Sequence, residues 1–238
     1  VIDFPLTKYF GKLGVRFNMK AIKGLTIACF ALFVSSFLCA YIHSAPKLAI
    51  EQYFGRGSKY VDFSALFMPT FVVDLLAGFT MRMWITKMAV CHDQGDTKTL
   101  NKLIIKQMGV IAFITVVSML VMYFAGGWAL SLLYGRDLYG YEWSNALLML
   151  AGGMVAVYTL FENVIIIYRH QHFSIVINIV SAVATVIIMP LFTRHGGVLG
   201  ATLAYLAANT VRAIGYIVCA LYYMNKDKKN NQKIPARN

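Results

Sequence analysis

The sequence predicts an all-α integral membrane protein in which six transmembrane helices form one bundle. Of its 238 residues, 59% are hydrophobic and 13% are charged, whereas a soluble domain carries about 25% charged residues. A helix rises about 1.5 Å per residue, so about 20 apolar residues cross a hydrocarbon core of about 30 Å. The runs are continuous, unlike the alternating segments of a β-barrel, so helices are predicted. Six stretches meet this length: residues 24–43, 61–81, 108–128, 145–167, 173–192 and 198–223.

The distribution of Lys and Arg predicts how these helices are oriented. With six spans, one side of the membrane carries sixteen of the 22 basic residues, Arg212 lies within a span, and the other side carries five. Because cytoplasmic loops are enriched in Lys and Arg, both termini are predicted to be cytoplasmic. The net charge of +12 is therefore explained by orientation, and nucleic acid is not expected as a partner.

The first connecting segments differ in character. Residues 1–23 are basic and are interpreted as a cytoplasmic linker after an earlier helix, so the chain is expected to be a fragment; the alternative is a helix resting on the headgroups. Residues 44–60 are predicted to be an outer loop with a turn at residues 55–57. Residues 82–107 are predicted to form a helical hairpin that continues the second and third spans, with DQGDT as its turn.

The later segments are shorter or more polar. Residues 129–144 are rich in aromatic side chains and are predicted to lie at the outer interface. Residues 168–172 and 193–197 are very short, and the first predicts a tight antiparallel pair of spans. The basic tail, residues 224–238, is expected to be cytoplasmic and disordered.

Signatures of soluble enzymes are absent: the sequence has no Walker A, GxSxG, HExxH or CxxC motif. His170 and His172 form an HxH pair at a membrane edge, but a metal site would need further ligands. The four cysteines are interpreted as free thiols. We therefore expect no enzymatic activity, no cofactor and no metal site.

Ionisable residues inside the spans are the most informative, because a charge in lipid costs at least about 2.5 kcal/mol. Arg212 lies 11 residues before the end of its span, about 16 Å deep. Small residues at every fourth position share its face, which allows helices to approach closely. Arg212 is therefore predicted to face the bundle interior, either as a cation for an anionic ligand or in a static buried ion pair. The small residues are Ala208, Ala204, Gly200 and Gly196.

Two carboxylates within spans are candidates for ion coupling. Glu162 lies near the inner end of the fourth span, where it could pair with Arg212, occupy a vestibule or carry a proton or sodium ion; partial solvation is the alternative. Asp74 lies about 10 Å deep on a helix face that Arg82 continues. A helix–helix hydrogen bond or an Asp–Arg pair is the alternative for Asp74.

Polar residues also follow one face of the fifth span, where Ser174, Asn178, Ser181 and Thr185 stand opposite Ile, Val and Met. Such a seam lines a cavity or joins helices by hydrogen bonds. Asn209 adds polarity near the arginine of the sixth span. Polar inward faces on several helices favour a solute path, and the predicted substrate-binding residues are Arg212, Arg82, Asn209 and Asn178.

Four segments, taken in order, follow the pattern of one family. They read APKLAIEQYFG followed by VDFSALF, MRMWITKMAVCHDQGDTKTLNKLI, GWALSLLYGRDLYGYEWSNALLML and GGVLGATLAYLAANTVR. Through them nearly the whole chain resembles the C-terminal half of the polysaccharide flippases, which move O-antigen and other lipid-linked oligosaccharides. These proteins belong to the multidrug/oligosaccharidyl-lipid/polysaccharide exporter superfamily.

The resemblance implies two six-helix bundles in the complete transporter and alternating access in the bacterial inner (plasma) membrane. The substrate would be an undecaprenyl-diphosphate-linked oligosaccharide for cell-surface polysaccharide, such as the O-antigen of lipopolysaccharide. Membrane lipids and the polysaccharide polymerase machinery would be further partners. Arg212 at mid-depth and Arg82 at the inner mouth are interpreted as cations for the diphosphate, because Arg offers bidentate geometry to phosphate.

Two rival functions remain open on the sequence alone. A cation-coupled multidrug antiporter of the same superfamily would need Asp74 and Glu162 and could dispense with Arg212. A membrane-embedded lipid-modifying enzyme would need a catalytic cluster at one interface, for which His170, His172 and Glu162 are the candidates.

Overall fold

The computed structural model describes residues 19–168, 170 and 172–231, and all regular structure in this part of the chain is helical. Within these described residues, five helical segments are long and apolar enough to cross a membrane, so the fold is all-α and compatible with several membrane crossings, as predicted. The chain divides into two compact units, Val1–Val34 and Ser35–Asn238, and the site described below lies within the second. The helices are α1 (Met19–Phe54), α2 (Ser58–Phe67), α3 (Thr70–Asp93), α4 (Thr97–Phe124), α5 (Gly126–Tyr134), α6 (Glu142–Ile167) and α7 (His172–Asn231).

Helix α1 is longer than predicted and corrects the first outer loop. It continues through Pro46 to Phe54, so the predicted loop of residues 44–60 shrinks to the turn around Gly55, whose φ is 69°. A proline within a membrane helix is tolerated because neighbouring groups satisfy the freed carbonyl. Most of the predicted linker, residues 1–23, lies outside the described residues, and its last five residues already belong to α1.

The predicted second span is divided into α2 and α3 by a break at Met68 and Pro69. The helical hairpin predicted for residues 82–107 is confirmed, because α3 runs to Asp93 and α4 begins at Thr97. Asp96 caps α4 by accepting a hydrogen bond from the backbone N–H of Thr99 at 3.0 Å. Thr99 also donates through its hydroxyl, and these bonds hold the pKa of the Asp96 carboxyl below its usual range.

Helix α6 packs against α3, α4 and α7 and covers the predicted fourth span. Small residues allow this close packing: a Cβ atom on Gly153 would collide with the side chain of Thr115 on α4.

The predicted aromatic loop of residues 129–144 contains part of a helix, α5, before the chain enters α6. After α5, Arg136 forms an ion pair with Asp62 of α2 at 3.3 Å.

Helix α7 contains two arms, residues 172–196 and residues 198–231, which meet at Gly197 with φ 56° and ψ −130°. The arms run antiparallel, because the ring of Phe173 lies 5.4 Å from that of Tyr223 and Gly215 lies against Ile177. The predicted loop of residues 193–197 is therefore reduced to this turn. The tail expected to be disordered is helical as far as Asn231, and residues 232–238 lie outside the described part.

Buried apolar residues form two clusters. One cluster contains Phe63, Phe67, Leu148 and Tyr205, and the other contains residues of the α3–α4 hairpin together with Tyr158 of α6. Large apolar side chains such as those of Phe113, Phe124 and Leu133 are exposed, which is the pattern expected for helices that face lipid. The candidate site occupies the polar layer where these clusters meet.

Candidate functional site

Arg212 lies at the centre of the site and is 1% exposed. Its guanidinium carbon lies 3.9 Å from the centre of the Tyr158 ring and 5.9 Å from that of Tyr216. Nη2 donates to Cys39 Sγ at 3.3 Å, whereas Nε and Nη1 have no hydrogen-bond partner. Among the described residues, no carboxylate oxygen lies within 4.0 Å of this guanidinium. A buried cation without a paired anion is costly, so the arrangement favours an anionic ligand.

The second arm of α7 presents Arg212 inward because one of its faces consists of small residues. Ala208, Ala204 and Gly200 on this face are fully buried, and Gly200 lies against the backbone of Phe192 in the first arm. The prediction that Arg212 faces the bundle interior is therefore confirmed. Gly196, which the same spacing placed on this face, is exposed at the turn.

His43 on α1 joins this layer to both apolar clusters. Its Nδ1 lies 3.0 Å from Tyr205 Oη, and its Nε2 lies 3.0 Å from Tyr158 Oη. Because α1 continues 11 residues beyond His43 to Phe54, the imidazole lies about 16 Å from the helix end. The first span was predicted to end at residue 43, whereas the helix continues well past this histidine.

Glu162 approaches Arg212 only through a tyrosine. Tyr216 Oη lies 3.0 Å from Glu162 Oε1 and 3.3 Å from Asn178 Oδ1, and its single O–H donates to one of them at a time. Asn178 in turn donates from Nδ2 to Ser35 Oγ at 2.7 Å. The predicted polar seam of the first arm is buried, as its spacing indicated.

These groups surround an open pocket with a volume of about 390 Å³. One wall is the segment of α1 that contains Cys39 and His43, and the others come from α6 and both arms of α7. Its lining includes the polar side chains of Arg212, Glu162 and Asn178. We call this cavity the arginine pocket.

A second cavity of about 390 Å³ lies between α3 and α6 and contains Asp74 and Arg82. The two residues share a helix face, as predicted, but they form no ion pair within 4.0 Å. Asp74 lies close enough to His43 for an electrostatic interaction. We call this cavity the aspartate pocket.

The structure thus separates the predicted substrate-binding residues. Arg212 and Asn178 line the arginine pocket, whereas Arg82 lines the aspartate pocket. Asn209 is buried and donates to the backbone oxygen of Tyr205 at 2.9 Å, while its Oδ1 has no partner. The predicted ion-coupling residues are also divided, with Glu162 in the arginine pocket and Asp74 in the other.

Among the described residues, no further metal ligands surround His170 and His172. The ring of His170 stacks on that of Tyr223, with 3.9 Å between the ring centres, and His172 is exposed. Within residues 19–168, 170 and 172–231, no group of three or more His, Cys, Asp or Glu side chains is placed to hold a metal ion.

Sequence reasoning missed His43, Tyr205 and Tyr216 as members of the site. The two tyrosines stand seven residues before and four residues after Arg212, which places them on its helix face. This spacing was a usable signal. His43 was missed because the polar residues that follow it in α1 were interpreted as a loop.

Comparison with family models, with curated proteins and with solved structures finds no match to this chain. The similarity to polysaccharide flippases therefore depends on the sequence motifs alone. The function is argued below from those motifs together with the geometry of the arginine pocket.

Proposed function

We propose that this chain belongs to a transporter that flips an undecaprenyl-diphosphate-linked oligosaccharide across the bacterial inner membrane by alternating access. The exported oligosaccharide serves cell-surface polysaccharide, such as the O-antigen of lipopolysaccharide. One observation carries the proposal: Arg212 is a buried guanidinium with two unpartnered nitrogens beside an open pocket. The order and spacing of the sequence motifs support the same family.

A diphosphate is the ligand chemistry that fits this guanidinium. Each phosphate carries negative charge and accepts hydrogen bonds from an arginine, and two buried nitrogens of Arg212, Nε and Nη1, lack a hydrogen-bond partner. The rings of Tyr158 and Tyr216 lie near the guanidinium, at 3.9 Å and 5.9 Å, without neutralising its charge. A cation held in this way stays available for an anion.

The remaining surfaces of the arginine pocket suit sugars. Asn178 and Ser35 offer neutral hydrogen-bonding groups, which match sugar hydroxyls. A volume of about 390 Å³ holds the diphosphate and its nearest sugar, so the rest of the oligosaccharide extends through the open side. In the proposed transporter, a first six-helix bundle closes that side.

We further propose that the chain crosses the membrane six times, with both termini in the cytoplasm. The antiparallel arms of α7, which contact one another through Phe173 and Tyr223, support two separate crossings in place of one. The excess of Lys and Arg on one side supports the orientation. Membrane lipids and the polysaccharide polymerase machinery are the proposed partners.

The test is genetic and uses the complete protein in the bacterium that encodes it. The gene is deleted and replaced by wild type, by Arg212→Ala or by Arg194→Ala, a matched control at an exposed arginine. Wild type and control should restore surface polysaccharide. At equal membrane abundance, Arg212→Ala should lower the flipping rate about tenfold to a hundredfold, because hydrogen bonds to charged groups contribute about 1.5–3 kcal/mol.

Two results would reject parts of this proposal. If surface polysaccharide persists without the gene, the chain is not a polysaccharide flippase. If Arg212→Ala restores the polymer as well as wild type does, Arg212 has a structural role only. The multidrug antiporter would instead show drug sensitivity after deletion, with Asp74→Asn and Glu162→Gln failing to reverse it.

A further inference from the structure

Both ring nitrogens of His43 have a hydrogen-bond partner inside the helix bundle. Each of its ring nitrogens meets a tyrosine hydroxyl at 3.0 Å, Tyr205 at Nδ1 and Tyr158 at Nε2. A neutral imidazole has one N–H donor and one acceptor nitrogen. One tyrosine must therefore accept a hydrogen bond from the ring, and the other must donate to it.

Charged and titratable groups face His43 from every helix that packs around it. The positive charge of Arg212 opposes a second positive charge on the imidazole, and the carboxyl of Asp74 acts in the opposite direction. His43 and Arg212 also line the same open pocket. The facing groups are Cys39 from α1, Asp74 from α3, Tyr158 and Glu162 from α6, and Tyr205 and Arg212 from α7.

The balance of charge around His43 therefore depends on whether Arg212 is occupied. With an empty pocket, the unpaired guanidinium disfavours a second cation nearby. A diphosphate bound to Arg212 cancels that charge and adds negative potential beside the imidazole. The same anion thus favours protonation of the ring.

We propose that His43 takes up one proton when an anion binds Arg212, so that a proton and the anionic ligand bind the arginine pocket cooperatively. This inference depends on the proposed function only in that Arg212 receives the diphosphate, and it names the proton as the coupling ion. Because linkage is reciprocal, the bound proton also strengthens anion binding by the same factor. A transporter built in this way moves its anionic substrate and a proton together.

Protonation also changes the hydrogen bonds of the site. In the imidazolium both ring nitrogens donate, so the tyrosine that had donated to His43 must rotate its hydroxyl and accept. The affected hydroxyl belongs to Tyr158, beside Arg212, or to Tyr205, in the apolar cluster of α2 and α6. This reorientation transmits the protonation state of His43 into the packing of the helices.

The test measures anion affinity against pH on the complete protein in nanodiscs. The probe is a diphosphate diester with one methyl group on each phosphate, whose charge stays constant while histidine titrates between about pH 5 and 8. Wild type should bind about tenfold more tightly for each unit that the pH falls across the titration of His43, since one proton enters with the anion. His43→Gln keeps a donor and an acceptor but does not titrate, so its affinity should be independent of pH.

Two further variants separate coupling from a merely structural role. Tyr205→Phe removes one hydroxyl partner and should move the pH at which the affinity changes while keeping the slope. His195→Gln, the same substitution at an exposed turn, should behave as wild type. Thermal unfolding of each variant checks that the fold is retained.

Three results would overturn the inference: pH-independent binding in wild type, an unchanged slope in His43→Gln, or no binding of the probe at any pH. The proposed function is judged separately by the surface polysaccharide of Arg212→Ala cells. A flippase whose anion binding is independent of pH would keep the proposed function and lose the proton coupling.

Discussion

Two arginines of this chain are held in opposite ways. Arg136 is partly exposed, pairs with Asp62 at 3.3 Å and donates to Ser58 at 3.2 Å. Arg212 lies buried beside two tyrosine rings, with a thiol as its hydrogen-bond acceptor and two nitrogens unpartnered. Arg212 is the more deeply buried of the two cations, yet within the described residues only Arg136 has a carboxylate partner.

This contrast separates structural from functional charge. The Arg136–Asp62 pair fixes the chain after α5 against α2: the carboxylate is buried, but it is balanced by an arginine that is itself partly exposed. An unpaired buried guanidinium lowers stability, so its presence is better explained by ligand binding than by folding. The predictions that follow test each side of this comparison.

The largest expected effect concerns the shape of the cation at the two positions. Arg212→Lys keeps the charge but loses the planar fork that binds phosphate, so the flipping rate should fall about tenfold to a hundredfold, as loss of charged hydrogen bonds implies. Arg136→Lys should flip at the wild-type rate. The measurement is the transfer of lipid-linked oligosaccharide in cells with equal protein levels, and equal rates for both variants would remove the functional distinction.

The next effect concerns the hydroxyl that lies between Arg212 and Glu162. Tyr216→Phe keeps the ring beside the guanidinium but removes the one O–H that Glu162 and Asn178 share, so the free energy of unfolding should fall by about 1.5 kcal/mol. Tyr222→Phe, at an exposed tyrosine of the same arm, is the matched control and should have no effect. Unfolding in bicelles measures both, and equal stability of the two variants would show that Tyr216 carries no structural hydrogen bond.

A smaller effect is expected on the free energy of unfolding when the charge of Arg212 or of Asp62 is removed. Arg212→Leu removes a buried cation that no anion balances, so the free energy of unfolding should stay the same or rise by about 1 kcal/mol. Asp62→Ala breaks a partly buried ion pair and should lower it by about 1 kcal/mol. A loss of stability in Arg212→Leu larger than that in Asp62→Ala would assign Arg212 to folding.

Much of this fold follows from the sequence, and the failures have physical causes. The α3–α4 hairpin and the inward face of Arg212 were predicted because helical periodicity and turn residues are local signals. The length of α1 was not predicted, because Pro46 and the polar residues after it have the composition of a loop. Tertiary packing decides there: Lys47 lies over the ring of Phe67 at 5.0 Å, and Pro46 is buried.

In the candidate site, too, local sequence patterns predicted some features, whereas others depend on tertiary contacts. Burial of Arg212 and Asn178 follows from the spacing of small and polar residues, which a helix places on defined faces. The bridge from His43 to Tyr158 and Tyr205 joins three helices, and no local pattern indicates which distant side chains meet. For this reason Arg82 and Asn209, which sequence spacing placed with Arg212, line a different cavity or point into the packing.

The smallest expected effect lies at the α3–α4 turn. The charged group there is an exposed carboxylate, in contrast to the buried guanidinium of Arg212. The hydroxyl and backbone N–H of Thr99 hold the pKa of Asp96 below its usual range. The cap therefore stabilises the start of α4 above the unfolded pKa of about 3.9 and is lost as the pH falls through the lower, folded value. Amide exchange of Thr99, corrected for the intrinsic effect of pH, should lose protection in that acidic window. Asp96→Asn keeps the cap without a titrating group, so its protection should not change with pH; the same pH dependence in this variant would show that another group controls the turn.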